Sequence, residues 1–255
     1  MTVHLQVFSL AQRPDLVSAY VNMDVPWPAF VKPTLLLVEW GIDAHDAHQL
    51  ILLDGDSPVA RAAALPLNWD GDPETLPLRG WDGVIEQSAT DTYTGAPLNT
   101  LCALEVGVSA GHEGRGLSRL ALNAVREHAR AASFDHLIVP VRPSDKIEHP
   151  DTPIADYIER RRDDGLPVDN WLRVHERLGG RIIALSPTAM TITAPLHTWQ
   201  AWTGHAFSQT GLTVVDGGIA PVFANVEHDY AIYVEPNVWV EHPLSGPPDA
   251  KGPRP

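Results

Sequence analysis

Apolar positions along this chain fall into short runs, and the clearest begins at residue 101. Leu101, Cys102, Ala103, Leu104, Val106 and Val108 follow one another almost unbroken, as they must in a strand covered on both faces. Thr100 to Ala110 is predicted as that strand, with Glu105 as its one charged position. The period then changes. Leu117, Leu120, Ala121, Ala124 and Val125 recur at i, i+3, i+4, i+7 and i+8, one apolar face of a helix. His136 to Val141 returns to the buried-strand pattern. Strand, glycine-rich turn, helix and strand compose a βαβ unit, right-handed by the usual rule for crossovers.

Upstream, Val3 to Ser9 reads as a short strand and the stretch from Pro14-Asp15 to just before Pro26-Trp27-Pro28 as helical. Gln49 to Leu53 and Val59 to Leu67 are β-like runs around Asp54-Gly55-Asp56, which is hairpin-turn chemistry. A helix is predicted from Trp81 to about Tyr93. Downstream, Asp169 suits an N-cap for a helix whose apolar stripe is Trp171, Val174, His175 and Leu178, stopped by Gly179-Gly180. Arg181 to Leu185, Ala189 to Thr193 and Tyr230 to Val234 read as strands. No repeat of 20 to 50 residues is present and no clean linker interrupts residues 1 to 244. The expected organisation is one domain over 1–195, an extension over 196–244 packed on it or completing it, and a Pro/Gly-rich disordered tail over 245–255.

Composition narrows the function classes. With 255 residues, 44% hydrophobic and 20% charged, the chain is globular rather than fibrous or disordered. Eighteen Lys+Arg against 32 Asp+Glu give a net charge of -14, a field that repels phosphate backbones and excludes general DNA binding. One cysteine makes no internal disulfide, and the first residues lack a basic-then-apolar leader, so a cytoplasmic location is expected. Nothing approaches the 18 or so consecutive apolar residues that span a membrane. The 12 histidines form no helical His-x-x-x-His pair, and a structural zinc site would want cysteines that are absent, so no metal is expected.

The turn before the helix, Gly111-His112-Glu113-Gly114-Arg115-Gly116, holds three glycines in six residues. Glycines at a helix start expose backbone N–H groups at the positive end of the dipole, with no Cβ to keep an anion away. Packing alone is the other use of such a turn. There is no Lys-Ser/Thr after it, as a P-loop requires, and no Gly-x-Gly-x-x-Gly spacing.

Residues 106–118 and 174–180 together resemble the GNAT superfamily of acyl-CoA-dependent N-acyltransferases. Its central motif, a strand followed by Arg/Gln-x-x-Gly-x-Gly/Ala and a helix, is similar to Val106 through Ser118, with Gly116 on the central glycine and Ser118 on the final small residue. Glu113 stands where that family has Arg or Gln. A second motif resembles Val174-His175-Glu176-Arg177-Leu178-Gly179-Gly180, with His175 on the family's tyrosine position.

The resemblance implies an α/β (α+β) fold, a mixed and mostly antiparallel sheet flanked by helices, in which the strands 100–110 and 136–141 splay to admit a pantetheine arm. It implies acetyl-CoA or another acyl-CoA as donor, contacted by Val106, Val108, Glu113, Gly114, Arg115, Gly116, Leu117, Ser118 and Arg119. An acyl carrier protein or an aminoacyl-tRNA is the alternative donor, and a binding module that has lost the reaction is the non-enzyme alternative.

Acyl transfer to an amine needs a base for the ammonium proton and an acid for the leaving thiolate. Glu105, a carboxylate within an apolar strand, is the candidate base or else a salt-bridged structural residue; His175 is the candidate acid or a core histidine. Cys102 reads as inert packing. Arg142 and Lys146, after the second splayed strand, are candidates for an anionic acceptor, the donor's phosphates or a carrier's phosphopantetheine, and Trp69 and Trp81 are candidates for the acceptor. Acceptor specificity is expected in the loops 68–80 and 147–168 and in a C-terminal segment bearing Trp199, Trp202, Glu235, Asn237, Trp239 and His242. The expected reaction is attack of a small-molecule amine on the thioester within a ternary complex, with no membrane or DNA partner.

Overall fold

A computed structural model describes residues 5–245, the side chains of 35–39 excepted. Val3 and the tail beyond Ser245 lie outside these residues. In chain order the elements are β1 (Leu5–Ser9), α1 (Val17–Val21), α2 (Lys32–Ala44), β2 (Gln49–Asp54), β3 (Ser57–Leu67) and α3 (Gly80–Thr94). Then come β4 (Thr100–Val108), α4 (Leu117–Ala131), β5 (His136–Val141), α5 (Ile154–Ile158) and α6 (Asn170–Arg177). The chain closes with β6 (Arg181–Ala194), α7 (Leu196–Thr203), β7 (Gly211–Thr213), β8 (Val222–Asn225) and β9 (Tyr230–His242). No helix among them is long and apolar enough to cross a membrane.

All nine strands join one sheet in the order β1-β2-β3-β4-β5-β9-β8-β7, with β6 along the other edge of β9. Every pairing is antiparallel except β4 with β5. This is the mixed, mostly antiparallel sheet that the resemblance implies. Period-2 alternation splits the core into two layers. Ala63, Leu65, Leu67, Cys102 and Ile138 pack with Trp81 and Val84 of α3. Ala62, Ala64, Leu101, Leu137 and Val139 pack with Val125 and Ala129 of α4. Burying each large side chain contributes roughly 1.5–3 kcal/mol.

The sequence expectation places no element where α7, β7 and β8 are found, and three other elements depart from it. Residues 32–44 form α2, which no apolar period announces because 35–38 are uniformly apolar; Pro33 in its first turn starts it. The runs 181–185 and 189–193 are one strand, β6, because its pairing with β9 resumes after an irregularity spanning Ser186 to Met190. The short run at Tyr230 extends to His242 as β9, whose residues Glu235, Asn237, Trp239 and His242 therefore lie in the sheet and not in a loop.

The feature that shapes the cleft is the β4–β5 pair. The two strands are in register only at Thr100↔His136, Leu101↔Leu137 and Cys102↔Ile138. Continuing that register would set Leu104 opposite Pro140, and two local properties prevent it. Leu104 is an extra residue against β3, which pairs Ala64 with Ala103 and Ala63 with Glu105, and such a bulge bends its strand. Pro140 has no N–H to give to a neighbour. The strands part there, and the indole of Trp81 donates to the Leu104 carbonyl at 3.3 Å.

Candidate active site

The parted strands open a cavity of ≈ 220 Å³ walled by residues 103–106 of β4, 139–141 of β5 and Arg142 just after it. Trp27, Trp81, Trp171, Ser118, Glu235 and Asn237 join the lining from five other segments, with Val31, Ser144 and Met190 beside them.

Glu105 reaches the cavity because of the bulge. Strict alternation after Cys102 would turn it towards α4, but the extra residue pairs it with Ala63 and turns it to the α3 face. There it is 4% exposed. Arg61 grips it with two bonds, Nε to Oε2 at 3.1 Å and Nη2 to Oε1 at 3.0 Å, and the Trp27 indole donates to Oε1 at 2.7 Å. A carboxylate accepts about four hydrogen bonds, so these three donors leave little more than one acceptor position for a ligand. Arg61 is itself held by the Tyr20 carbonyl and lies 5.2 Å from that ring's centroid. Gly107 permits the close fit, since a Cβ there would sit 2.8 Å from the Val25 side chain and 3.3 Å from Glu105 Oε1.

The glycine turn leads directly into α4, whose Ser118 lines the cavity. Gly111, Gly114 and Gly116 have φ of 81°, 73° and 73°, which side chains other than glycine's rarely adopt. Gly116 is the N-cap of α4, and no side chain caps the first amides of the helix. A Cβ at any of the three would meet nothing within 4 Å. Uncapped amides beside open space suit an anionic group. Leu117 anchors the helix in the core, while Glu113, Gly114, Arg115 and Arg119 are exposed around the turn. Arg115 pairs with Asp54 at 3.0 Å. Val106 and Ser118 line the cavity, and Val108 lies beyond them towards the turn.

The remaining candidates divide. Arg142 and Trp81 line the cavity. Lys146 does not: it is 1% exposed, and its ammonium donates to the carbonyls of Ile219, His149 and Pro150, tying two loops together. Trp69 is also remote, its indole donating to Asp72 O and Thr75 Oγ1 and its ring lying 4.8 Å from that of His136, at the far end of β5. His175 is buried one layer back, packed at 4.6 Å on the Trp171 ring that lines the cavity. Its Nδ1 is 2.8 Å from Nε2 of His242. Burial, followed by the neighbouring His242, pushes its pKa well below the ordinary histidine value, so it is neutral near pH 7. Cys102 is fully buried with its thiol pKa raised by burial, and it stays outside the cavity wall.

Asp169 performs as the sequence suggests. Its Oδ1 accepts from the amides of Trp171 and Leu172, and its Oδ2 from the Asp145 amide and the Tyr157 hydroxyl. This cap fixes α6 and with it Trp171. Arg61 and Trp27, by contrast, were not singled out by the sequence. A charged residue within the otherwise apolar run 59–67 was the available signal for Arg61; nothing local marks Trp27.

No family model matches the chain. It is 30% identical over 269 aligned residues to the arginine N-acetyltransferase avaD of Aspergillus versicolor, with 92% of each protein covered. Among solved structures it is similar to the loading GNATL domain of CurA from Lyngbya majuscula, with a TM-score of 0.61 and 14% identity over 94% of this chain and 98% of that one. It is also similar to the GphF GNAT-like decarboxylase in complex with isobutyryl-CoA, with a TM-score of 0.54 and 14% identity over 95% and 100% of the two chains. At 14% identity those two likenesses concern the fold. Taken with the splayed β4–β5 pair and the glycine turn, the full-length relative shows that this chain belongs to the GNAT superfamily of N-acyltransferases.

Proposed function

We propose that the protein moves an acyl group from an acyl-CoA, acetyl-CoA first among them, to an amine of a small basic molecule by direct attack in a ternary complex. The carrying observation is one cavity lined both by a buried carboxylate, Glu105, in its β4 wall and by Ser118, from the first turn of α4. The donor's phosphates would rest on the amides of Gly114, Arg115, Gly116 and Leu117, where the glycines leave room. Backbone amides carry those contacts, so Glu113 in place of the family's Arg or Gln removes a side-chain partner and leaves the cradle intact. Acyl-CoA would supply the activated thioester.

The chain's own residues do the rest. Glu105, oriented by Arg61 and Trp27, takes the proton shed by the attacking nitrogen, directly or through one water. The new C–N bond forms as the C–S bond breaks, and the thiolate leaves towards the positive end of α4. His175, neutral and outside the cavity wall, serves in this reading as support for Trp171 rather than as the acid.

Calorimetric titration with acetyl-CoA and with free CoA tests the donor, and micromolar binding of either is expected. Transfer is then followed with arginine as the first acceptor, the substrate in the relative's name. Failure to bind either nucleotide, together with acyl transfer from a loaded carrier protein or an aminoacyl-tRNA, would overturn the acyl-CoA reading.

A further inference from the structure

The lining of the same cavity carries a second buried carboxylate, and the geometry points to Glu235 and Asn237 as the docking point for a second cationic group of the acceptor. The acceptor is then a molecule with a reacting amine at one end and a guanidinium or ammonium at the other. This inference rests on the acyl-transfer reading for the direction of the reacting end.

Both residues lie on β9 two positions apart, hence on one face. They occupy the stretch where β9 has left β8, at Val222↔Tyr233, and has not yet met β5, at Val141↔Val238. Pro236 stands between them. The side chains are 1% and 2% exposed and line the cavity. Oε2 of Glu235 accepts from the Tyr233 hydroxyl at 2.8 Å and from Arg142 Nε at 2.9 Å. Oε1, equally buried, receives no donor among the described residues. Asn237 donates through Nδ2 to the Pro140 carbonyl at 3.3 Å, which fixes the amide's orientation, because the flipped amide would set oxygen against oxygen. Its Oδ1 is therefore left with no donor among the described residues either.

Two buried acceptors with nothing to accept are rare in a folded protein and call for an explanation. Neither atom can donate, so both select against carboxylates and carbonyls and for groups rich in N–H. A guanidinium offers five such donors and an ammonium three. The surroundings agree. Arg61 is matched by Glu105 and Arg142 by Glu235 and the Gly217 carbonyl, so the cavity carries no surplus positive charge. Trp27, Trp81 and Trp171 line it, and aromatic walls favour cations. A chain of net charge -14 attracts a cation from solution.

The test is calorimetry on the whole protein with 4-guanidinobutylamine and n-butylamine, each with and without CoA, on the wild type, Glu235→Gln and Asn237→Leu. The wild type should bind the guanidinium compound at least about tenfold more tightly than the monoamine, the scale of one charge-assisted hydrogen bond. Both variants should erase that preference while the acetyl-CoA affinity stays within about twofold. A wild type without the preference, or variants that keep it, overturns the inference. So does a variant that loses acetyl-CoA affinity with the preference intact, since the two oxygens would then serve the donor's amide groups. Should Glu235→Gln unfold for want of the Arg142 partner, Asn237→Leu carries the test. A preference that is present in a protein unable to bind acetyl-CoA supports the subsite and sinks the acyl-CoA reading alone.

Discussion

Glu105 and Glu235 are two carboxylates in the wall of one cavity, each buried and each paired with an arginine, yet they differ in how completely they are satisfied. Glu105 has both oxygens engaged by Arg61 and one of them by Trp27 as well. Glu235 takes Arg142 and Tyr233 on the same oxygen, and the other receives no donor among the described residues. Burial and pairing alone therefore do not distinguish a held group from a receptive one. The distribution of donors over the individual oxygens does. Glu105 is a fixed carboxylate with a small residual capacity, suited to moving one proton, and Glu235 is fixed on one side and open on the other, suited to holding a cation.

The contrast can be broken most forcefully at Arg61. Arg61→Leu strands Glu105 as an uncompensated buried charge and should destabilise the fold by about 3–5 kcal/mol, read from the shift in urea midpoint. A loss under about 1 kcal/mol would mean that Glu105 is not the tightly held member. Next in size is Glu105→Gln, which keeps shape and most of the packing but cannot take a proton. It should lower kcat roughly 100-fold or more in a steady-state transfer assay, with acetyl-CoA binding retained. Retained turnover would remove Glu105 from the chemistry.

Tyr233→Phe sharpens the other half. The hydroxyl donates to Glu235 and accepts from the Ile219 amide at 2.9 Å, so its loss leaves that buried N–H unpaired. A cost of about 1–3 kcal/mol in stability is expected, with a rise in the acceptor KM as Glu235 loses a restraint. An unchanged KM would argue that Arg142 alone positions Glu235.

The smallest effect separates acid unfolding from the cavity altogether. Burial, and secondarily Arg126, lowers the pKa of His242 to about 4, and burial with His242 lowers that of His175. Unfolded histidines take up protons as pH falls through about 6.5, while native His242 stays neutral until near 4 and native His175 resists protonation in the same direction. The stability His242 contributes is thus complete above pH 6.5 and is lost as pH falls towards 4, by about 1.4 kcal/mol per pH unit. His242→Gln should flatten the measured slope of unfolding free energy between pH 6.5 and 4.5 by roughly that amount for one histidine; an unaltered slope would place the acid sensitivity elsewhere.

Much of the frame is legible in the residues because local pattern and tertiary environment agree there. The apolar run at 101–108, interrupted only by Glu105 and Gly107, the helical period from Leu117, the turn glycines and the Asp169 cap each specify one local conformation, and those conformations are found. Where pattern is uniform, as in 35–38, or where proline hides a continuation, as at Pro187 in β6 and Pro236 in β9, the element is missed. Lys146 and Trp69 follow the same rule in reverse. Their residue types and sequence positions suit ligand binding, but three carbonyls and a loop turn already use their polar groups.

By itself, then, the sequence determined the layers of the fold, the helix start that offers its amides, and the presence of a carboxylate in the splaying strand. Tertiary structure alone decided which face that carboxylate serves, because a single extra residue at Leu104 shifts the alternation of everything after it, and no side-chain pattern records a bulge. It also decided that Glu235, 130 positions along the chain from Glu105, shares the same cavity with one oxygen unspent. Hydrogen-bond satisfaction depends on groups distant in sequence, so it is settled only when the strands have met.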